Sequence, residues 1–210
     1  MNKNNKAEKI AQLLKKRYPE PKTELVHKNE YELAVAVMLS AQTTDKKVNQ
    51  VTPELFKKYP SWEKLALGNV SDIQRLIRQV NFHKGKAERL VKAGQVVVAE
   101  FESSLPRSME GLIKIPGIAR KSANVIMQEL WGIAEGIVVD THVSRVSNRL
   151  GLTKQKDPKK IEKDLMADIP KTYWRNFSGA AVLHGRYICV ARKPKCVECI
   201  LNKDCPSASI

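Results

Sequence analysis

Leu112-Ile113-Lys114-Ile115-Pro116-Gly117-Ile118-Ala119-Arg120-Lys121-Ser122-Ala123 sets a tight Pro116-Gly117 turn between two helical segments, the second running on through Val125, Ile126 and Leu130. In such a helix-hairpin-helix the amides that start the second helix lack intrahelical partners and lie at the positive end of its macrodipole. They make a site for a nucleic-acid phosphate that ignores base sequence. Arg120 and Lys121 fall in that first turn. A cation there is unfavourable for the helix, and the same field, with Arg120 adjacent, favours the neutral amine of Lys121, which is a nucleophile. Contact with a phosphate is the plainer task for the same lysine, and charge alone favours it.

Outward from the hairpin the apolar spacing stays helical, with no alternating run long enough to require a sheet, so the expected fold is all-α. Ala7, Ile10, Ala11, Leu14 and Tyr18 form a stripe that stops before Pro19, and Tyr31 to Leu39 is apolar on nearly every side, as a central helix would be. Ser71 with Gln74 reads as a capping box ahead of Ile73, Leu76, Ile77 and Val80. Asp157-Pro158 opens a helix carrying Ile161, Leu165 and Ile169, and Gly151 suits a helix stop. Short loops are expected at Asn81 to Gly85, Leu105-Pro106 and Ile115 to Gly117. No low-complexity linker interrupts the chain, so a domain boundary must be compact, and Gly132 to Val139 is its best place.

Composition narrows the partner. The chain has 37 Lys and Arg against 22 Asp and Glu, a formal charge of +15, and such an excess repels itself unless a polyanion is at hand. An anionic membrane competes with nucleic acid for that role, but no stretch reaches the roughly 20 apolar residues of a spanning helix. The N-terminus, Met1-Asn2-Lys3-Asn4-Asn5-Lys6, has neither the apolar region nor the cleavage site of a signal peptide, so a cytoplasmic protein is expected. In that reducing compartment Cys189, Cys196, Cys199 and Cys205 read as metal ligands sooner than as disulfides. Four thiolates hold either zinc or an iron–sulfur cluster, and their spacing does not choose between them.

Beyond the hairpin, Val138-Val139-Asp140-Thr141-His142-Val143 is an apolar approach that ends at Asp140, followed by the helical stripe Val143, Val146 and Leu150. Asp140 therefore sits at or near a helix N-cap, and capping alone would account for it.

Several motifs in order then resemble one family over most of the chain. They are Leu39-Ser40-Ala41-Gln42-Thr43-Thr44-Asp45, the hairpin ending Arg120-Lys121-Ser122-Ala123, Val139-Asp140-Thr141-His142, Leu183-His184-Gly185-Arg186 and the cysteine array. The chain resembles the endonuclease III family of the helix-hairpin-helix DNA glycosylase superfamily. That resemblance implies two helical domains with the active site in the cleft between them. Residues 22–134 would form a six-helix barrel with the hairpin at about 112–130, and residues 1–21 with 135–210 an iron–sulfur cluster domain. It implies a bifunctional DNA glycosylase and abasic-site lyase of base excision repair, acting as a monomer on duplex DNA that carries oxidised or ring-saturated pyrimidines. It implies a nucleoid-associated protein of a bacterium or archaeon. It also resolves the thiols in favour of a [4Fe-4S] cluster on Cys189, Cys196, Cys199 and Cys205.

The residue roles implied are equally specific. Lys121 is the nucleophile and Asp140 its carboxylate partner. Gln42, flanked by Thr43 and Thr44, fills the place of the extruded base, and Phe82 with His83 forms a second wedge in the stack. Pro116, Gly117, Ala119 and Arg120 hold the backbone, with His142 and Arg145 on the other helix start. Arg192, Lys193 and Lys195 give a basic loop between the first two cysteines. The chain departs from the family where Ala119 replaces a second hairpin glycine, where Asn81-Phe82 replaces a glycine and aliphatic pair, and in a longer segment before Val138. Lys121 argues against a monofunctional adenine or mismatch glycosylase, and the few residues after Cys205 leave no room for the extra domain of the adenine branch. A non-catalytic duplex-binding protein would use the same charge and hairpin without bond-breaking.

Overall fold

In the computed structural model, residues 3–209 are described, with side chains from residue 5. Met1 and Asn2, the start of the segment read above for a signal peptide, lie outside them. Among the described residues there is no strand, as the helical spacing requires. The helices are α1 (Lys3–Arg17), α2 (Glu30–Ser40), α3 (Asp45–Lys58), α4 (Trp62–Ala66), α5 (Val70–Leu76), α6 (His83–Phe101), α7 (Met109–Lys114), α8 (Arg120–Trp131), α9 (Thr141–Arg149), α10 (Pro158–Asp168) and α11 (Trp174–Tyr187). Among the described residues no helix is long and apolar enough to cross a membrane.

The chain divides into two units, one continuous over Thr23–Gly132 and one joining the chain up to Lys22 with the chain from Ile133 onward. In the continuous unit, α2 is buried from Tyr31 to Leu39 except at Glu32, which is why its sequence shows no polar face. Asn29 caps it, accepting the Glu32 N–H at 2.9 Å. Leu33, Leu39, Leu55, Leu90 and Leu112 are fully enclosed in the core around it, and each such burial contributes roughly 1.5–3 kcal/mol. The helices α4 and α6 pack closely because Gly94 has no side chain. A Cβ there would lie 2.7 Å from the Ala66 backbone nitrogen.

Two expectations for this unit are corrected. Ser71 and Gln74 do not form the cap of α5. Asn69 does, accepting the Asp72 N–H at 3.1 Å, since asparagine caps as well as serine and its position starts the turn that buries Ile73. The loop expected over Asn81 to Gly85 ends sooner: α6 already begins at His83, and the Lys86 N–H closes its first turn on the Phe82 carbonyl at 3.1 Å. Gly85, taken as a loop signal, is an ordinary helical residue with open space beside it.

The discontinuous unit is built from α1, α9, α10 and α11. Ile10 and Leu14 of α1 share one core with Val143, Val146, Ile161, Leu165 and Phe177, and α1 packs on both α10 and α11. Asp157 caps α10, accepting from Lys160 N–H at 3.0 Å, with Pro158 at its first position. Gly151, in left-handed backbone, follows the end of α9.

Candidate functional site

The hairpin forms as read, α7 and α8 joined through Ile115 to Ala119. Gly117 has φ +92°, a backbone conformation that L side chains rarely adopt, so the turn needs glycine there. Ala119, where the family has its second glycine, is extended (φ −88°, ψ 166°) and carries a side chain without strain. The first turn of α8 has no side-chain cap, and Arg120 and Lys121 are exposed on it. A recess of about 360 Å³ lies alongside, lined by Met38, Ala41, Lys86, Arg89, Pro116 and Gly117 among others.

Two loops of the same unit hold the proposed wedge residues. Gln42 (φ +56°) and Phe82 (φ +59°) both adopt left-handed backbone without being glycine, at a cost of roughly 1–2 kcal/mol each. Phe82 is 65% exposed, its ring open to solvent. His83 is the first residue of α6, and Thr44 caps α3, accepting from Lys47 N–H at 3.4 Å. Thr43 turns inward to Lys86, a residue that sequence reading passed over. Buried Lys86 gives its three protons to Leu39 O (2.7 Å), Ala41 O (2.6 Å) and Thr43 Oγ1 (3.1 Å). Burial, then Arg89, pulls its ammonium down to about 8, so it stays charged at neutral pH.

In the discontinuous unit Asp140 is the N-cap of α9, and its Oδ1 accepts both His142 N–H and Val143 N–H at 2.8 Å. The approach to it is fixed where Val138 N–H donates to Ser178 Oγ at 3.0 Å. Arg145, expected at the DNA, donates to Gly185 O (2.7 Å) and Cys189 O (3.0 Å) and lies 3.3 Å from His142 Nδ1. Its guanidinium therefore ties α9 to the start of the cysteine array.

The four thiols line one recess with His184 and Arg149. They encircle it. Among the described residues no three His, Cys, Asp or Glu side chains converge as a single ion requires, whereas zinc draws four ligands to about 2.0–2.3 Å. Four thiols lining one recess are the donor set that a [4Fe-4S] cluster takes. Arg149 Nη1 donates to Cys189 Sγ (3.3 Å) and Val190 O (2.7 Å), and Leu201 N–H to Cys199 Sγ (3.4 Å). Burial raises the Cys199 thiol, and the other three cysteines add to the rise, a strain that positive iron would relieve. Burial, then Arg17, holds His184 down to about 4. Its neutral ring faces Cys199 Sγ through Nε2 at 3.4 Å. Between the first two ligands Arg192, Lys193 and Lys195 are exposed, and Lys193 takes φ +52°.

Residues 35–171 match the HhH-GPD superfamily of base excision DNA repair proteins, and residues 189–205 match the iron–sulfur binding domain of endonuclease III. The chain is 47% identical to an endonuclease III of Synechocystis sp., with 99% of this chain and 94% of that protein covered. It is 39% identical to one of Rickettsia felis, over 94% and 92%. Among solved structures it is similar to a trapped covalent endonuclease III–DNA intermediate, with TM-score 0.90 and 35% identity over 99% of this chain and 97% of that one.

Proposed function

The chain belongs to the endonuclease III family of the HhH-GPD superfamily of base excision DNA repair proteins, and from that membership we propose how its residues excise a base and cut the strand. The protein is a DNA glycosylase with abasic-site lyase activity on duplex DNA. The observation that carries the mechanism is Lys121, exposed in the uncapped first turn of α8 immediately after the Gly117 turn.

A base within the duplex cannot be reached, so its nucleotide is turned out of the stack at a cost of a few kcal/mol that is least for damaged bases. The free amine of Lys121 attacks the sugar C1′, and the glycosidic bond breaks with its electron pair leaving on the base, which takes up a proton. The sugar ring opens to a Schiff base whose positive charge acidifies the C2′ proton. Loss of that proton expels the 3′ phosphate and cuts the strand, and water then hydrolyses the imine to free Lys121. Asp140, held through Oδ1, offers its other oxygen to stabilise the cationic sugar and to move the protons of Lys121. Pro116, Gly117, Ala119 and Arg120 hold the phosphate backbone, with Thr44, His83, His142, Arg192, Lys193 and Lys195 at the rest of the DNA, while Thr43 and Arg145 hold the loops behind them. Gln42 fills the vacated base position and Phe82 wedges the stack.

Cys189, Cys196, Cys199 and Cys205 hold a [4Fe-4S] cluster, which orders a loop too poor in apolar residues to fold alone. Oxidised and ring-saturated pyrimidines are the substrate class we assign, in the cytoplasm with the nucleoid, by the protein as a monomer. The test is to incubate the protein with a duplex holding one thymine glycol and reduce with borohydride. A covalent complex that disappears in Lys121→Ala is the expected result. Base release without a trapped complex would exclude Lys121 as the nucleophile, and neither event would leave a binding protein.

A further inference from the structure

Asn81 departs from the family's glycine, and the mechanism above gives it no task. Its side chain does not cap α6, which starts beside it without any side-chain cap. Instead Asn81 Nδ2 reaches to the other loop and donates to the Gln42 carbonyl at 2.6 Å, while its backbone N–H donates to Thr43 Oγ1 at 3.2 Å. The same hydroxyl accepts from Lys86 Nζ, whose other two protons hold the carbonyls of Leu39 and Ala41. Four bonds from Asn81 and Lys86 thus fall on Ala41, Gln42 and Thr43. Gln42 and Phe82, both carried at an unfavourable left-handed φ, are joined by this arrangement: one is bonded directly to Asn81 and the other follows it in the chain. Backbone of that kind persists only where its surroundings impose it. A return of Gln42 to an ordinary φ would carry its carbonyl away from Asn81.

We propose that Asn81 is a positioning residue that latches the Gln42 loop to the Phe82 loop, so that both side chains meet duplex DNA as one preset unit. The latch rests on the reading of Gln42 and Phe82 as the residues that enter the duplex. Its benefit is preorganisation: the loops are ordered during folding and not at the moment of binding. The requirement is confined to duplex DNA, because only a duplex has a stack to wedge and an orphaned base to meet.

The test compares single-turnover base release from a thymine glycol duplex with strand cleavage of a single-stranded abasic oligonucleotide. Asn81→Leu, which removes the donor at similar size, should slow the duplex reaction about tenfold and leave the single-stranded reaction unchanged. Asn81→Asp keeps the shape but sets an acceptor against the Gln42 carbonyl, so it should fall at least as far, where a purely steric role would leave it at the wild-type rate. Equal losses on both substrates would overturn the latch, as general damage. So would a wild-type duplex rate in Asn81→Leu while Gln42→Ala and Phe82→Ala are slow, and that result would leave the underlying reading intact. If Gln42→Ala and Phe82→Ala both keep the wild-type duplex rate, the reading itself fails and the latch with it.

Discussion

Asp140 caps a helix and is assigned a part in bond-breaking, and one substitution separates the two tasks. Asparagine presents the same acceptor oxygen to the His142 and Val143 amides and caps about as well as aspartate. Asp140→Asn should therefore unfold within about 0.5 kcal/mol of the parent, while base release falls by about 10²-fold or more. Asp140→Ala should lose the rate and also about 1 kcal/mol of stability. Denaturant unfolding beside single-turnover kinetics measures both, and an Asn variant as unstable as the Ala variant would refute the division. The helix-start positions of Lys121 and Asp140 were legible in the sequence, marked by a turn and by the start of an apolar stripe, while the roles assigned to them came from family resemblance. Lys86 was not legible, since nothing in His83-Lys84-Gly85-Lys86 distinguishes one lysine from the other. Its role comes from carbonyls at Leu39 and Ala41 that the fold, and no local pattern, brings to it.

Among the elements, α3 and α5 are tied at Asp72, which lies 2.7 Å from Lys58 Nζ and 2.6 Å from Arg75 Nη2 and accepts from the Tyr59 hydroxyl at 2.8 Å. Lys58 above all, then Tyr59, lowers its carboxyl from 3.8 to about 2. A carboxyl depressed on folding adds stability above its unfolded pKa and loses it as pH falls through the folded one. Asp72→Asn should accordingly lower the unfolding midpoint at neutral pH, with the difference from the parent shrinking below pH about 4 and vanishing only below pH about 2. A gap that stays constant across an acid titration would show that the carboxylate's charge is not the source. The helices themselves were readable from apolar spacing, α2, α8 and α10 most clearly. Their starts were less so, as α5 and α6 show. Asn69 and Ser71 are both good caps two residues apart, and only the burial of Ile73 picks one of them; likewise a glycine at Gly85 looks like a break until the Phe82 carbonyl is seen to accept from Lys86.

At the scale of the whole molecule, each unit has its own core, so loss of the cluster should be felt unequally. Removing iron with a chelator should abolish hydrogen-exchange protection over residues 189–205 and weaken it in α9, which Arg145 and Arg149 bind to that loop. Protection in α2 and α6 should be retained, and its simultaneous loss would contradict the independence of the two cores. From the sequence a boundary was expected near Gly132 to Val139, between two helical groups, and the grouping of α1 with the end of the chain came from family resemblance, because no pattern within α1 names its partner. The discontinuity also has a consequence during synthesis. The apolar stripe of α1 leaves the ribosome well ahead of its partners, for Leu165 and Phe177, which share its core, are added on the order of ten seconds later at ordinary translation rates. Throughout that interval the Thr23–Gly132 unit can complete its own core on the emerging chain, while Ile10 and Leu14 wait uncovered, making α1 the segment of the nascent protein most in need of a chaperone's shelter.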